Sequence, residues 1–283
     1  YNNKDFIAIC RLVEFFASFG RHVIIASASM RKEHILALID SYKTGHDIYN
    51  FIRNIKNDFP VTLFSEYKSD IIHSSISEDV NCFISGYLND ISKEIEQSLS
   101  NRRVLSYLPM NKTNYVNQLF DKIMELHKNN SIQDEDIFIS SGIIRWNQIR
   151  HCINFSKNFI KMVNSINDSD TLFAFCCHHS NFSLAVKSNV DYTLSRIFNR
   201  KHDENEKDPM LKDENIKNLI KLCKKNNKKN LIIIIVTTPL MEAGRDIDVD
   251  WGITEPCSDR SLVQFVGRIR RHRYKNYKEN NII

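Results

Sequence analysis

Two short stretches concentrate the residue types that handle phosphate. The first, Thr237-Thr238-Pro239-Leu240-Met241-Glu242-Ala243-Gly244-Arg245-Asp246-Ile247-Asp248, follows directly on the apolar run Leu231 to Val236. It sets hydroxyls, a glycine and carboxylates at the end of what composition marks as a buried strand. In an open parallel sheet, ligands bind in the loops beyond the C-terminal strand ends, and a loop of this make-up can hold phosphates. The second stretch, Gln264-Phe265-Val266-Gly267-Arg268-Ile269-Arg270-Arg271-His272-Arg273, carries Gln264, Arg268 and Arg271 at i, i+4 and i+7. On a helix over 260–271 those three share one face. Phosphoryl transfer needs cationic donors where charge develops, and one arginine finger supplies about 10³ to 10⁵ in rate. Guanidinium suits the task because its planar fork does not lose its charge.

Blander readings stand beside these. A basic cluster at a helix end is ordinarily solvated and favoured there by the helix dipole, so 268–273 gains weight only from the hydroxyl-rich loop upstream. Cys176-Cys177-His178-His179 invites a zinc reading, but neighbours on a strand point to opposite faces and cannot all reach one tetrahedral metal. Asp246, Asp248 and Asp250 alternate like Ca²⁺ ligands without the downstream bidentate Glu of an EF-hand. No metal site is expected. Ser27-Ala28-Ser29 alone reads as the N-cap of a following helix, and Trp146 and Trp251 read as packing residues.

Elements must position these groups. Phe6, Ile9, Cys10, Val13, Phe16 and Ala17 recur at helical spacing and stop at Gly20, so a helix should lead into a strand at His22 to Ser27 and a second helix at Arg31 to Thr44. Between 45 and 135 the pattern suggests strands at Val61 to Phe64 and Arg103 to Tyr107, with helices at Ser77 to Leu99 and Tyr115 to Lys128. The second half alternates clearly. Strands are expected at Ile137 to Ser140, Leu172 to Cys176, Leu231 to Val236 and Gly252 to Thr254; helices are expected at Gln148 to Val163, Ser183 to Arg200, Asn215 to Lys225 and Arg260 to Arg271. Such alternation implies an α/β fold, a parallel sheet with helices on both faces.

Composition bounds the rest. With 283 residues, 42% hydrophobic and 26% charged, the chain is neither wholly disordered nor a disulfide scaffold. A net charge of +5 only mildly favours a polyanionic partner. The seven cysteines are scattered without a Cys-x-x-Cys pair, which fits a reducing cytoplasm. The run Leu231 to Val236 is far shorter than the roughly 20 residues of a membrane-spanning helix, so no membrane association is expected. The sequence opens on Tyr1, which reads as a start inside a longer gene.

Gln264-x-x-Gly267-Arg268-x-x-Arg271 resembles motif VI of superfamily 2 helicases, and Thr237-Thr238-Pro239 through Asp246 resembles their motif V. Ser27-Ala28-Ser29 is similar to motif III, Cys177-His178-His179-Ser180 to a Tyr-His-Ser-Arg type motif IV, and Ser141 to Trp146 takes the place of the first strand-end segment of a second RecA-like domain. With Gly244-Arg245-Asp246 and the run Asp250-Trp251 to Glu255-Pro256, the pattern resembles the helicase-nuclease of type I CRISPR systems, closest to subtype F. The resemblance implies the tail of a first RecA-like domain over 1–70, a mostly helical connector over 71–134 and a second RecA-like domain over 135–283. It implies Gln264, Arg268 and Arg271 as catalytic residues, and Gly244, Asp246 and Gly267 at the nucleotide. Thr237, Thr238, Ser141, Arg145, His179, Ser27 and Ser29 would then follow the nucleic acid. The complete enzymes use ATP and Mg²⁺, translocate along single-stranded DNA, and are recruited by a guide-RNA surveillance complex.

The departures are equally specific. The sequence holds no Gly-x-x-x-x-Gly-Lys-Ser/Thr loop, no Asp-Glu-x-x box before Ser27 and no HD pair in a metal-binding context. Motif III has Ser29 where Thr is usual, and motif IV has Asn181 where Arg is usual. The chain therefore reads as part of a DNA helicase carrying motifs III to VI. The alternatives are a non-catalytic DNA-binding or docking module, with the missing N-terminal half supplied as a separate chain, and a decayed gene fragment. Arginine fingers without a phosphate-binding loop leave nucleotide little to bind, so the purified 283-residue chain should neither bind ATP tightly nor hydrolyse it. DNA-stimulated phosphate release measured on that chain alone would overturn this expectation.

Overall fold

The computed structural model describes residues 3–27, 30–65, 68–72, 77–98, 103–110, 114–166, 170–201, 207–242, 246–273 and 281–283. They pack as two compact units, Tyr1–Leu99 and Ser100–Ile283. No described helix is long and apolar enough to cross a membrane.

The first unit contains α1 (Asn3–Ser18), α2 (Lys32–Arg53), the antiparallel hairpin of β1 (Val61–Phe64) and β2 (Ser69–Ile72), and α3 (Ser77–Ser98). Helix α2 runs well past the expected end at Thr44. Where it passes Gly45 it lies close against α1: a Cβ there would sit 2.0 Å from the Glu14 carbonyl oxygen, so only glycine admits α1 so closely. α2 then stops at Asn54, in the left-handed conformation at φ 52°.

The strand expected at His22–Ser27 is absent. Residues 21–27 join no β-ladder, and Ile24 is 83% exposed. A parallel core strand exists only with neighbours along its edges, and the described residues of this unit form no sheet beyond the β1–β2 hairpin. Helix α1 buries Val13 and Ala17 while exposing Ile7, Leu12 and Phe15, and Phe19 just beyond its end is exposed as well.

The second unit is built from α4 (Tyr115–Asn130), β3 (Ile132–Asp134), β4 (Ile137–Arg145), α5 (Ile149–Ser165), β5 (Thr171–His178), α6 (Leu184–Ile197), α7 (Glu214–Lys225), β6 (Asn230–Thr237), β7 (Trp251–Thr254) and α8 (Asp259–Val266). β6 lies between β4 and β5, and all three run parallel. β7 pairs parallel with the C-terminal half of β4, while β3 pairs antiparallel with its N-terminal end. The result is a mixed sheet with helices on both faces.

The unbroken apolar run in β6 has a simple cause. Leu231, Ile233 and Ile235 enter the core beneath α6, α7 and α8, whereas Ile232, Ile234 and Val236 enter the core beneath α4 and α5. Both sides of the strand are buried. A polar pin joins the layers: His127 of α4 bonds through Nδ1 to the Ser140 hydroxyl at 2.8 Å and through Nε2 to Asn230 at 3.1 Å, while Trp251 Nε1 donates to the same Ser140 oxygen at 3.1 Å. Burial lowers the pKa of His127, which favours the neutral imidazole such a pin needs.

Two further expectations need correction. Arg103 to Tyr107 forms no strand, only a single bridge from Leu105 to Ile282. The helix expected over 260–271 ends at Val266, because Gly267 starts a turn and Ile269 bridges to Val249, burying its side chain completely.

Gly142 is the tightest point of the β4–β7 pair, since a Cβ there would lie 2.2 Å from the Trp251 ring, which is itself fully buried. Gly142→Ala should therefore lower stability by about 1–3 kcal/mol through overpacking. Urea denaturation of the two proteins, compared at equal slope, measures it; an unchanged midpoint would mean the ring has room to move.

Candidate functional site

The C-terminal ends of β4 and β6 lie side by side, with Arg145 in register with Thr237. Trp146 N donates to the Thr237 carbonyl at 2.9 Å, so the two strand ends stay joined into the loops. Arg145, Thr237 and Thr238 line a small crevice together with Ile143, Met241, Phe265 and Arg268. Three residues expected on the nucleic acid and one expected at the phosphate are thus neighbours, although their segments are far apart in sequence. Arg145 Nη1 donates to Asn147 Oδ1 at 2.6 Å, Asn147 N donates to Glu255 at 2.6 Å, and His151 Nδ1 lies 3.1 Å from the same carboxylate. This chain of contacts ties the mouth of β4 to the end of β7.

Because α8 ends early, Gln264, Arg268 and Arg271 do not share a helix face. Gln264 stays on α8, Gly267 caps it in right-handed geometry, and Arg268 turns inward with 5% of its surface exposed. Arg270 takes a positive φ of 47°, and its Nη2 donates to Asn130 in the interior at 3.3 Å. Arg271 points outward: its Nε lies 3.0 Å from Asp246, and 39% of its side chain is exposed. Asp246 also meets His272 Nε2 at 2.7 Å and Lys201 Nζ at 3.0 Å. Partial burial raises its pKa, but the hydrogen bonds from His272 and Lys201 and the charge of Arg271 outweigh that and leave it lowered.

Ser141 is fully buried. Its backbone N–H and hydroxyl donate to Asp250 Oδ2 at 2.7 and 2.8 Å, and its oxygen accepts from Arg200 Nη1 at 3.3 Å. His179 is buried too, stacked on Phe182 at 4.3 Å between centroids. Ser27 is exposed in the extended segment after α1. Ser29 and Gly244 lie outside the described residues.

Several residues of this region escaped sequence reasoning. Asp250, at the head of β7, accepts from Arg200 Nη1 at 3.0 Å and from Arg273 Nη1. Arg273 also grips Asp248 at 2.6 Å and donates to the Val249 carbonyl at 2.8 Å. Arg200 reaches Asp208 through Nε at 2.9 Å. Burial opposes charge on Asp250, but the guanidinium groups of Arg200, Arg273 and Arg270 outweigh it and hold the carboxyl well below the usual carboxylate range. Desolvation likewise disfavours the Arg273 cation, and Asp250 and Asp248 more than restore it. The signal available in sequence was the alternation Asp246, Asp248, Asp250. It resembles a cation site, and the cations turn out to be arginines.

Residues 139–274 match the family model described as CRISPR-associated nuclease/helicase Cas3, C-terminal. A CRISPR-associated nuclease/helicase Cas3 of subtype I-F/YPEST from Pectobacterium atrosepticum is 26% identical over 287 residues, covering 95% of this chain and 25% of its own. Its counterpart from Pseudomonas aeruginosa is 24% identical over 288 residues, covering 96% and 26%. Among solved structures, T. fusca Cas3 with ADP superposes with a TM-score of 0.55 at 13% identity, over 98% of this chain and 27% of that one. A chain of a structure described as a CRISPR RNA-guided surveillance complex, pre-nicking, superposes with a TM-score of 0.54 at 13% identity, over 98% of this chain and 29% of that one. The RecA-like α/β fold is therefore borne out. The chain spans about a quarter of the length of these curated relatives.

The buried cluster yields a measurable consequence. Asp250→Asn keeps the shape but leaves Arg200 and Arg273 without their shared anion, a loss of about 3–5 kcal/mol. The native carboxyl refuses the proton that the unfolded one takes up below pH about 4. Its contribution is therefore complete above that pH and is lost as pH falls toward the depressed native value, at up to about 1.4 kcal/mol per pH unit. Urea titrations from pH 7 downward should show a steeper loss of stability in the wild type than in Asp250→Asn, which keeps only the share of the other lowered carboxyls such as Asp246. Equal slopes would remove Asp250 from the account.

Proposed function

We propose, from the premise that this chain carries the C-terminal helicase region of Cas3-like proteins, that it forms the part of an ATP-driven DNA motor that closes on nucleotide and grips the strand. The observation that carries this reading is the convergence of Arg145, Thr237, Thr238 and Arg268 on one crevice at the ends of parallel strands, with Arg271 at the surface beside it in sequence. Parallel strand ends are where such sheets bind ligands.

The residues divide the work. Thr238 and Arg145 carry hydroxyl and guanidinium donors suited to sugar-phosphate, contacts that position a strand without reading its sequence, and Thr237, whose hydroxyl donates to the Thr238 carbonyl at 3.1 Å, shapes that loop for the nucleic acid. Arg271 is held by Asp246 at a half-exposed position, and a phosphate of higher charge density is a partner for which it can exchange that carboxylate. ATP with Mg²⁺ supplies the phosphoryl group transferred to water; Arg271, supported by Gln264 and the turn through Gly267, supplies positive charge where negative charge grows. In this proposal the strand is single-stranded DNA, the recruiting partner is a type I guide-RNA surveillance complex, the setting is CRISPR antiviral defence, and the compartment is the cytoplasm.

A second reading, a docking module completed by another polypeptide, is favoured by one observation. The first unit exposes Ile7, Leu12, Phe15, Phe19 and Ile24 together with the sheet-type sequence His22–Ser27. Such an apolar surface on a soluble protein marks an interaction site.

The test is reconstitution. Supplying a polypeptide that carries a phosphate-binding loop and an Asp-Glu box should yield DNA-stimulated ATP hydrolysis, and Arg271→Ala should lower kcat by about 10³-fold or more. Undiminished turnover in that variant would take Arg271 out of the catalytic role. DNA binding without any turnover would favour the docking module.

A further inference from the structure

Two thiols from different elements meet on the sheet face beneath α5. Cys152 lies in the first turn of α5 and Cys177 one residue before the end of β5; their sulfurs are 3.7 Å apart. Cys152 is fully buried, while Cys177 keeps partial exposure. Both belong to the core beneath α4 and α5, whereas the adjacent Cys176 packs into the opposite core, so strand alternation selects Cys177 alone to face α5. One turn further along α5, the Ser156 hydroxyl donates to the Cys152 carbonyl at 2.7 Å. The S–H of Cys152 favours the Cys177 thiolate against burial, and the same pairing raises Cys152.

We propose that Cys152 and Cys177 form a reversible dithiol–disulfide couple that reacts with small disulfides of the glutathione type. The sulfurs need to close from 3.7 Å to about 2.05 Å to form the bond. Cys177 is the attacking sulfur: it forms an S–S bond with one sulfur of the oxidant, and the other sulfur leaves as thiolate. Cys152 then gives up its proton to that thiolate or to solvent and attacks Cys177, releasing the second thiol. The protein loses two protons and two electrons, and one disulfide becomes two thiols. The new bond would fix α5 to β5 beside His178, whose Nε2 lies 2.7 Å from Asp191 of α6. Oxidation would therefore stiffen the strand end that carries His179.

The experiment exposes the full chain to oxidised glutathione at neutral pH, blocks remaining thiols with an alkylating reagent at timed intervals, and maps peptides by mass spectrometry. A cross-linked peptide pair containing Cys152 and Cys177 should accumulate about tenfold faster than glutathione adds to the exposed Cys82. The oxidised chain should melt at a higher Tm, and dithiothreitol should reverse both effects. Cys152→Ala should stop the reaction at a mixed disulfide on Cys177, and the more exposed Cys177→Ala should leave Cys152 unmodified. Reaction of Cys177 no faster than Cys82, or glutathione capture by Cys177 without the cross-link in the wild type, would overturn the proposal.

Discussion

One carboxylate in the interior sets the register of the second unit. Asp250 receives the backbone and hydroxyl of Ser141 from β4, the guanidinium of Arg200 from beyond α6, and that of Arg273 from beyond α8. A buried anion is tolerated only when its bonding capacity is filled, and here each donor comes from a different segment. The strands can slide relative to one another only by breaking several charged hydrogen bonds at once. The β4–β7 pairing and Gly142 under Trp251 begin at the next residue along each strand from this anchor.

The same anchor sorts the basic cluster at 268–273 into separate duties. Ile269 is drawn into the core by its bridge to Val249, which forces the backbone through the left-handed region at Arg270. Arg270 and Arg273 then point inward, to Asn130 and to the Asp248–Asp250 pair. Arg271 is left at the surface against Asp246. A run that looks uniformly basic in sequence is, in three dimensions, a structural clamp interrupted by one outward guanidinium.

Local pattern made much of the fold legible. The continuous apolar run of β6 announced burial on two faces, and α5 and α7 followed their periodicity because each covers one core. Arg145, Thr237 and Thr238 could be read as strand-end residues, and they do meet. Other features depend on partners distant in sequence. His22–Ser27 has the composition of a core strand but no described ladder to join, and the helix at 260 yields to a bridge from Val249. The resemblance sets Ser141 along the nucleic acid, but Asp250, 109 positions away, claims its hydroxyl. Pairings of that kind leave no periodic trace, so sequence reasoning saw the acidic alternation without its arginines.

The seating of Trp251 over Gly142 also fixes what light can report about this molecule. The chain has two tryptophans, Trp146 and Trp251; both are buried in the second unit, and the first unit has none. Intrinsic tryptophan emission is thus a private optical channel for the sheet around Asp250, blind to the helices of α1 and α2. Set against far-ultraviolet dichroism, which sums over all helices, it separates the melting of one unit from the melting of the other without any label being attached.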